Sequence, residues 1–309
     1  MIAVRRARTL ASAVVLSLAQ VTPAVALATP GAFGASGAPA WACSPEDIAA
    51  GVDSAARGGI AIREKDTGQV RGAMPATAVN AAPANLTVTV PVWFHVISNG
   101  STGNVTDAIV TAQIAQLNAG FGGSEGGPDT GFSFVLAGTT RTSNATWYAS
   151  KGGAEKAFKQ ALKVGGDNTL NVYSTSGGSY LGWAYLPSIT TSSQAYLDGV
   201  VIDWRTMPGA STAYANQYDE GDTLIHEVGH WLNLEHTFYG GCKVNGDFVA
   251  DTPPQKSASS GCPVGRDSCA GGGIDPIHNY MDYSDDDCIT EFTAGQIQRM
   301  ADAWVFWRA

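Results

Sequence analysis

Three histidines and a glutamate form the part of this sequence whose spacing best suits chemistry. His226 and His230 stand four positions apart, so on a helix both side chains project from one face and can share a metal ion. Glu227 would lie beside the open position of that metal, where a carboxylate can take a proton from bound water. His236 follows six residues after His230, which leaves room for the chain to turn and return a third imidazole. Three protein ligands plus one water are typical of a catalytic zinc site.

This pattern is improbable as an accident. The chain has five histidines and eight glutamates among its 309 residues. At those frequencies, the four positions would coincide by chance in roughly 3 of 100,000 chains of this length. We therefore interpret the four residues as a catalytic zinc site.

The elements that must position these residues alternate between helix and strand. The first two histidines fall in a predicted helix at 222–234, which Asp222 can cap. A last helix is predicted to begin at Thr293, where Gln296 completes a capping box. The interleaving of elements favours a mixed sheet with helices packed on it. Strands are predicted at 86–97, 132–142, 170–174, 181–186 and 199–203, and further helices at 107–118 and 154–163.

The N-terminus has the features of an export signal. Three arginines (Arg5, Arg6 and Arg8) precede an apolar run at 10–18, and a small-residue cleavage site follows at 26–28. Residues 1–28 are therefore predicted to be a signal peptide. No later segment approaches the roughly 20 apolar residues that a membrane helix needs. We expect a secreted, extracellular enzyme without a membrane partner.

The rest of the chain divides by composition. Residues 29–82 are rich in Ala, Gly and Pro, which predicts a propeptide, with a flexible N-terminal extension as the alternative. Residues 83–309 are predicted to be the catalytic domain. The hydrophobic content of 44% is ample for a core.

Charge indicates the kind of partner. Without the signal peptide the net charge is −12, and residues 201–309 hold 16 acidic against 6 basic residues. This field repels phosphate backbones, so nucleic acid is not an expected partner. It suits metal ions and basic peptides.

Four of the five cysteines lie within the last 70 residues. In an oxidising compartment they predict two disulfides, for which three pairings are open. Cys43, near the start of the predicted propeptide, is left over.

Several segments resemble one protease family. The run at 226–236 resembles the long zinc signature of the metzincin metalloproteases, and 279–283 resembles their Met-turn, the loop under the metal. The full set is similar to the pappalysin family, in its ulilysin-like branch. The resemblance implies an α+β fold, in which a twisted mixed β-sheet with backing and active-site helices lies above the cleft. Below it would lie an irregular, disulfide-bonded C-terminal subdomain with a final helix. Further similar segments are 246–253, 261–263, 267–269 and 292–296.

The resemblance also assigns roles around the zinc. Met281 would lie under the site as a hydrophobic base. Tyr283 would flank the zinc and stabilise the oxyanion, with a buried structural tyrosine as the alternative. The family's disulfides would pair Cys242 with Cys269 and Cys262 with Cys288.

A calcium site is expected near the start of this irregular part. Asp247, Asp251 and Thr252 offer oxygen ligands close in sequence, as calcium requires, and family members bind calcium here. The alternative is a solvated acidic loop.

One position departs from the family pattern. Metzincins carry glycine where this chain has Asn233, because the helix ends there with a residue at positive φ. Asparagine is the non-glycine residue that best tolerates this conformation, so we expect the turn to survive.

The resemblance also predicts specificity. In ulilysin-like members, an aspartate immediately before a cysteine lies at the bottom of the pocket that binds the substrate side chain after the scissile bond. Asp287 matches that position. A carboxylate there would favour Arg, then Lys. A solvated acidic loop and a second calcium site are the alternatives.

Latency is a further expectation. A thiolate is a good zinc ligand, so Cys43 could occupy the open position and exclude water. The alternative is an inert thiol that is lost with the propeptide. Cleavage before Arg71 would remove this cysteine.

Together these features predict a secreted zinc endopeptidase that acts on protein or peptide substrates. Zinc would polarise the scissile carbonyl, and Glu227 would take a proton from the attacking water and pass it to the leaving amine. One alternative is an inactive binding or adhesion module that kept the fold. The other is a zinc exopeptidase whose third ligand is a downstream glutamate.

Overall fold

A five-stranded mixed sheet organises the part of the chain that the computed structural model describes, residues 64–65, 67–69 and 72–309. The strand order is β2-β1-β3-β5-β4, and only the edge strand β4 runs antiparallel to its neighbour. The predicted mixed sheet is confirmed. The strands are β1 Val88–Ser98, β2 Phe132–Ser143, β3 Leu170–Thr175, β4 Gly182–Ala184 and β5 Val200–Asp203.

Helices alternate with these strands and then close the chain, as the sequence predicts. None of the helices among the described residues is long and apolar enough to cross a membrane. The α-helices are α1 Asp107–Phe121, α2 Ala145–Tyr148, α3 Ala154–Leu162, α4 Asp222–Trp231 and α5 Ala294–Ala303. Short 3-10 turns occupy Pro187–Thr191, Ala195–Leu197 and Trp204–Thr206, and a π-helical turn, Trp304–Arg308, follows α5.

The two faces of the sheet are buried by different elements. Neighbouring residues of a strand point to opposite faces, so Val200 joins the core that α1 and α4 cover, while Val201 joins a second cluster with Phe158 of α3. The larger core also contains Tyr280 and Met281. The predicted Met-turn is thus part of the same hydrophobic core as the helix that carries the histidines.

The region between α4 and α5 contains no regular helix or strand. Two disulfides close it, Cys242–Cys269 and Cys262–Cys288, which are the pairs that the family resemblance implies. The predicted capping box is confirmed, because Thr293 and Gln296 each bond the other's backbone N–H. Gln296 also exchanges two amide hydrogen bonds of 2.7 and 2.9 Å with Asn279. The start of α5 therefore holds the first residue of the Met-turn.

Both ends of α4 depend on positive φ. Gly221, at φ 102°, is the cap residue, so the expectation that Asp222 caps the helix is wrong. At the other end Asn233 has φ 78°, which confirms the expected conformation. The Asn233 N–H bonds the His230 carbonyl at 2.8 Å, and the Leu234 N–H bonds the Gly229 carbonyl at 2.9 Å. This pattern is a Schellman motif, and it ends the helix so that the chain can return towards it.

Candidate active site

The three histidines of the signature converge on one point. His226 and His230 project from α4, and the turn at Asn233 returns His236 to the same place. The Nε2 atom of His230 lies 3.2 Å from Nε2 of His226 and 3.1 Å from Nε2 of His236. All three side chains are buried. The structure thus brings together the residues that their spacing alone predicts.

The hydrogen bonds of the imidazoles define which nitrogen carries the hydrogen. His226 Nδ1 lies 2.6 Å from the Tyr280 carbonyl, and His230 Nδ1 lies 2.7 Å from the Leu234 carbonyl. A carbonyl oxygen only accepts, so Nδ1 donates, and the neutral form of each ring keeps its lone pair on Nε2. Burial lowers the pKa of His226, and lowers that of His236 to about 3, which keeps both rings neutral.

This donor set fits a zinc ion. Lone pairs about 3 Å apart repel one another unless a cation lies between them. Ligands 2.0–2.1 Å from a tetrahedral zinc are separated by about 3.3 Å. The 3.1 and 3.2 Å separations of the Nε2 atoms are close to that value. In addition, His226 and His230 each donate the Nδ1 hydrogen to a backbone carbonyl, and such a carbonyl is a usual partner of a metal-bound histidine.

The Met-turn packs directly under the histidines. The side chain of Met281 is fully buried, and a Cβ atom placed on Gly229 would lie 2.5 Å from its sulfur. The Met281 carbonyl also accepts the backbone N–H of Thr237 at 3.1 Å. Glycine in the helix is therefore required for the close approach of the two segments, a role that the sequence analysis did not assign to Gly229.

The edge strand β4 lies against the proposed base. Glu227 is buried, and a Cβ atom on Gly182 would lie 2.7 Å from its Oε1 atom. Sequence reasoning missed Gly182 as a residue of the site. The available signal was a glycine within a short apolar strand, which often marks a close approach by another group.

Tyr283 lies beside the same point. Its hydroxyl oxygen is 3.2 Å from His236 Nε2, and its ring packs edge-on against the imidazole with centroids 5.0 Å apart. The ring of Phe238 contacts it from another side at 5.0 Å. A hydroxyl at this distance can donate a hydrogen bond to an oxygen bound next to the histidines.

A cavity extends from this cluster to an acidic end. Asp222 and Asp286 line it, whereas Asp287 is exposed and does not. Burial raises the pKa of Asp222 to about 8, and burial together with the neighbouring Asp222 raises that of Asp286 well above its ordinary value. The Glu220 backbone N–H donates to Asp286 at 2.9 Å. Asp286, the neighbour of the expected pocket residue Asp287, is therefore the residue of this pair that lines the cavity.

The three expected calcium ligands have different surroundings. Asp247 and Thr252 are buried, and burial raises the pKa of Asp247 to about 6. Asp251 is exposed, and its carboxylate accepts the Thr293 hydroxyl at 2.7 Å and the Gly295 N–H at 2.8 Å. Asp251 therefore contributes to the start of α5, a role that its sequence position did not indicate.

A residue of the predicted propeptide lies at the histidine cluster. The Oε2 atom of Glu64 is 2.6 Å from His236 Nε2 and 3.3 Å from His230 Nε2. No local motif in the sequence distinguished this glutamate, because it stands far from the histidines along the chain. Cys43, the expected latency residue, lies outside the described residues.

Comparison with known proteins identifies the family. The family model described as "Pregnancy-associated plasma protein-A", a peptidase family, matches residues 181–304. An extracellular metalloprotease of Pyricularia oryzae is 46% identical over 228 residues, which are 72% of this chain and 77% of the relative. One from Verticillium alfalfae is 48% identical over 235 residues, 73% and 79% of the two chains. The chain belongs to this family of metalloproteases.

Solved structures agree with this assignment. Mature mirolysin of Tannerella forsythia in complex with a cleaved peptide is 30% identical, with a TM-score of 0.60 over 70% of this chain and 90% of that one. Promirolysin, also 30% identical, has a TM-score of 0.64 over 74% and 83% of the two chains. The metzincin fold, the zinc metalloendopeptidase class and the extracellular location expected from the sequence are thereby confirmed.

Because Gly182 leaves no room for a side chain beside Glu227, we expect Gly182→Ala to lower kcat/KM. Displacing a catalytic group by about 1 Å costs on the order of 100-fold, and the added methyl group forces a shift of this kind. Peptide hydrolysis by the mature enzyme measures the effect, with circular dichroism to confirm folding. Gly153→Ala is the matched control, since a Cβ atom there meets nothing within 4 Å. A folded Gly182→Ala enzyme with unchanged kcat/KM would contradict this role of the glycine.

Proposed function

We propose that this chain is the precursor of a zinc endopeptidase in which His226, His230 and His236 bind the metal. Glu227 then serves as the general base and acid. The convergence of three imidazoles, with Nε2 atoms 3.1 and 3.2 Å apart, carries the proposal. The family membership supports it independently.

The chemistry divides between the metal and two side chains. A zinc ion held by the histidines would polarise the scissile carbonyl and lower the pKa of water. Glu227, next to the first histidine, accepts the proton of the attacking water and delivers it to the leaving amine. Tyr283 donates its hydroxyl hydrogen to the oxygen that gains negative charge. The edge strand β4 gives an extended peptide a backbone partner beside these groups.

Two variants separate metal binding from proton transfer. His236→Ala should lose zinc and activity together, because two remaining imidazoles hold zinc poorly. Glu227→Ala should keep one zinc per chain by elemental analysis and lose about 10²- to 10⁴-fold in kcat. Retention of zinc by His236→Ala would instead indicate an enzyme with another third ligand. A wild-type mature protein that binds peptides without cleaving them would indicate an inactive binding module.

The acidic end of the cavity supports a preference for Arg, then Lys, after the scissile bond. Asp222 and Asp286 place two carboxyl groups on the cavity. A guanidinium can pair with a carboxylate through two parallel charge-assisted hydrogen bonds, which an ammonium cannot do. Asp286 takes over the role that the family resemblance assigns to Asp287.

This preference should depend on pH. Because burial raises the pKa of Asp222 to about 8, this residue gains its charge only as the pH rises through that value, and the pKa of Asp286 is raised in the same direction. A bound guanidinium favours the charged form, so the kcat/KM ratio of an Arg peptide over its Leu counterpart should increase between about pH 6 and pH 9. The pH dependence of catalysis itself cancels in this ratio.

Two matched variants test the assignment of the pocket. Asp286→Asn should reduce the Arg-to-Leu ratio and flatten its dependence on pH. Asp287→Asn removes the adjacent, exposed carboxylate and should leave the ratio close to that of the wild type. The reverse result would show that Asp287 forms the pocket.

The residues just before the proposed propeptide boundary at residue 82 contact the catalytic domain. Beyond Glu64, the backbone N–H groups of Asn80 and Ala82 donate to Asp302 of α5 at 2.8 and 2.9 Å. This segment therefore packs on the catalytic domain before the first strand begins at Val88.

We propose calcium binding at the loop around Asp247 and Thr252. The support is a buried carboxyl group beside a buried hydroxyl group. An ion that binds only the folded state stabilises it, by about 2.7 kcal/mol at a hundred times its Kd. Calcium should therefore raise the Tm of the wild type but not of Asp247→Asn, whereas the exposed control Asp267→Asn should respond normally. A wild-type Tm indifferent to calcium would exclude the site.

A further inference from the structure

The segment before the catalytic domain enters the active site at Glu64. Its carboxylate is almost fully buried, with 7% of the side chain exposed, and it lines the same cavity as Glu227. The Oε2 atom lies 2.6, 3.3 and 3.9 Å from the Nε2 atoms of His236, His230 and His226. Ligand atoms of all four residues lie within 4.8 Å of one another.

This oxygen lies where a fourth zinc ligand belongs. Three histidines leave one open position in a tetrahedral site, and carboxylate oxygens bind zinc at about 2.0–2.2 Å. Ligands of such a site are separated by about 3.3 Å, and the distances from Glu64 to the three nitrogens range around that value. A carboxylate also supplies a negative charge, which imidazole ligands do not.

Neighbouring residues anchor the segment on the rim of the cleft. Lys65 pairs with Glu155, and its ammonium lies 4.8 Å from the ring centroid of Trp183 in β4. Further along, Gln69 accepts the Leu186 N–H at 2.5 Å and donates to the Leu186 carbonyl at 3.1 Å. The segment is therefore held at two points after Glu64, one at β4 and one just beyond its end, next to the strand that would receive a substrate.

A second catalytic group is engaged by the same carboxylate. The hydroxyl of Tyr283 donates to Glu64 Oε2 at 3.3 Å. The Glu64 oxygen thus lies on the open side of the histidine cluster. It also accepts the hydrogen bond of Tyr283, the hydroxyl that we propose stabilises the oxyanion.

We propose that Glu64 is the fourth zinc ligand of the precursor and keeps it latent by excluding the attacking water. This inference rests on the proposed function of the histidines as zinc ligands. It differs from the sequence expectation, in which Cys43 supplies the ligand. Hydrolysis of a peptide bond between Gln69 and the first strand, for instance before Arg71, would release the carboxylate and open the position.

The ligand set can be observed without measuring activity. The precursor is prepared as the Glu227→Ala variant, so that it does not cleave itself, and its zinc is replaced by cobalt. The visible spectrum of cobalt reports its ligands, and a thiolate adds a strong charge-transfer band in the near ultraviolet. Glu64→Gln, which keeps the shape but removes the charge, should change the visible bands. Glu64→Gln should also lower the Kd of acetohydroxamate, a small metal-binding probe, by about 10-fold or more relative to the parent.

Two controls separate this proposal from its rivals. Asp66→Asn removes another carboxylate from the same segment and should leave the spectrum and hydroxamate affinity unchanged, as should Cys43→Ala. A spectrum insensitive to Glu64→Gln in a folded precursor with one cobalt per chain would overturn the proposal. A thiolate charge-transfer band in the parent precursor that disappears in Cys43→Ala would also overturn it, because Cys43 would then be the fourth ligand.

The outcomes also distinguish this proposal from the proposed function. A precursor and mature enzyme that bind neither zinc nor cobalt would refute both. The mature enzyme could contain zinc and show Glu227-dependent activity while Glu64→Gln leaves the cobalt spectrum of the precursor unchanged. That result would refute only the latency role of Glu64. In a precursor with Glu227 intact, Glu64→Gln should raise the initial rate of peptide hydrolysis before any cleavage of the propeptide, by about 10-fold or more.

Discussion

Three imidazole nitrogens that face one another are the constraint on which the rest of the site depends. Nitrogen atoms 3.1 and 3.2 Å apart that point at one another are unfavourable without a cation, so the protein must hold them there by other contacts. Carbonyl groups of Tyr280 and Leu234 do this by accepting the Nδ1 hydrogens of His226 and His230. Because such a site forms only when the chain is folded, metal binding contributes to the free energy of folding.

The carbonyl groups are positioned by segments far apart in sequence. Leu234 follows the Schellman turn that ends α4, whereas Tyr280 belongs to the Met-turn. The Met-turn in turn is fixed from below by the buried Met281 and from the side by the amide pair of Asn279 with α5. The irregular, disulfide-closed half of the catalytic domain therefore contributes directly to the orientation of a proposed metal ligand.

Carboxyl groups around the cleft differ in what surrounds them. Glu227 lies against the glycine of β4, and Glu64 lies against the histidines. Asp286 and Asp222 lie together at the acidic end, where burial and neighbouring acidic groups favour the protonated form. The three roles that we propose for these carboxyl groups, proton transfer, metal binding and recognition of a basic side chain, therefore follow from the neighbours of each group.

Sequence alone determined what depends on local spacing. The helical periodicity places His226 and His230 on one face, the capping box starts α5, and Asn233 tolerates the positive φ that its turn requires. The disulfide pairs came from the family resemblance, since spacing left three pairings open. Only the tertiary structure decided that Asp286 and not Asp287 lines the cavity, that Asp251 supports α5, and that Glu64 reaches the histidines. These facts depend on the direction of single side chains and on contacts between distant segments, which no periodicity of the chain encodes.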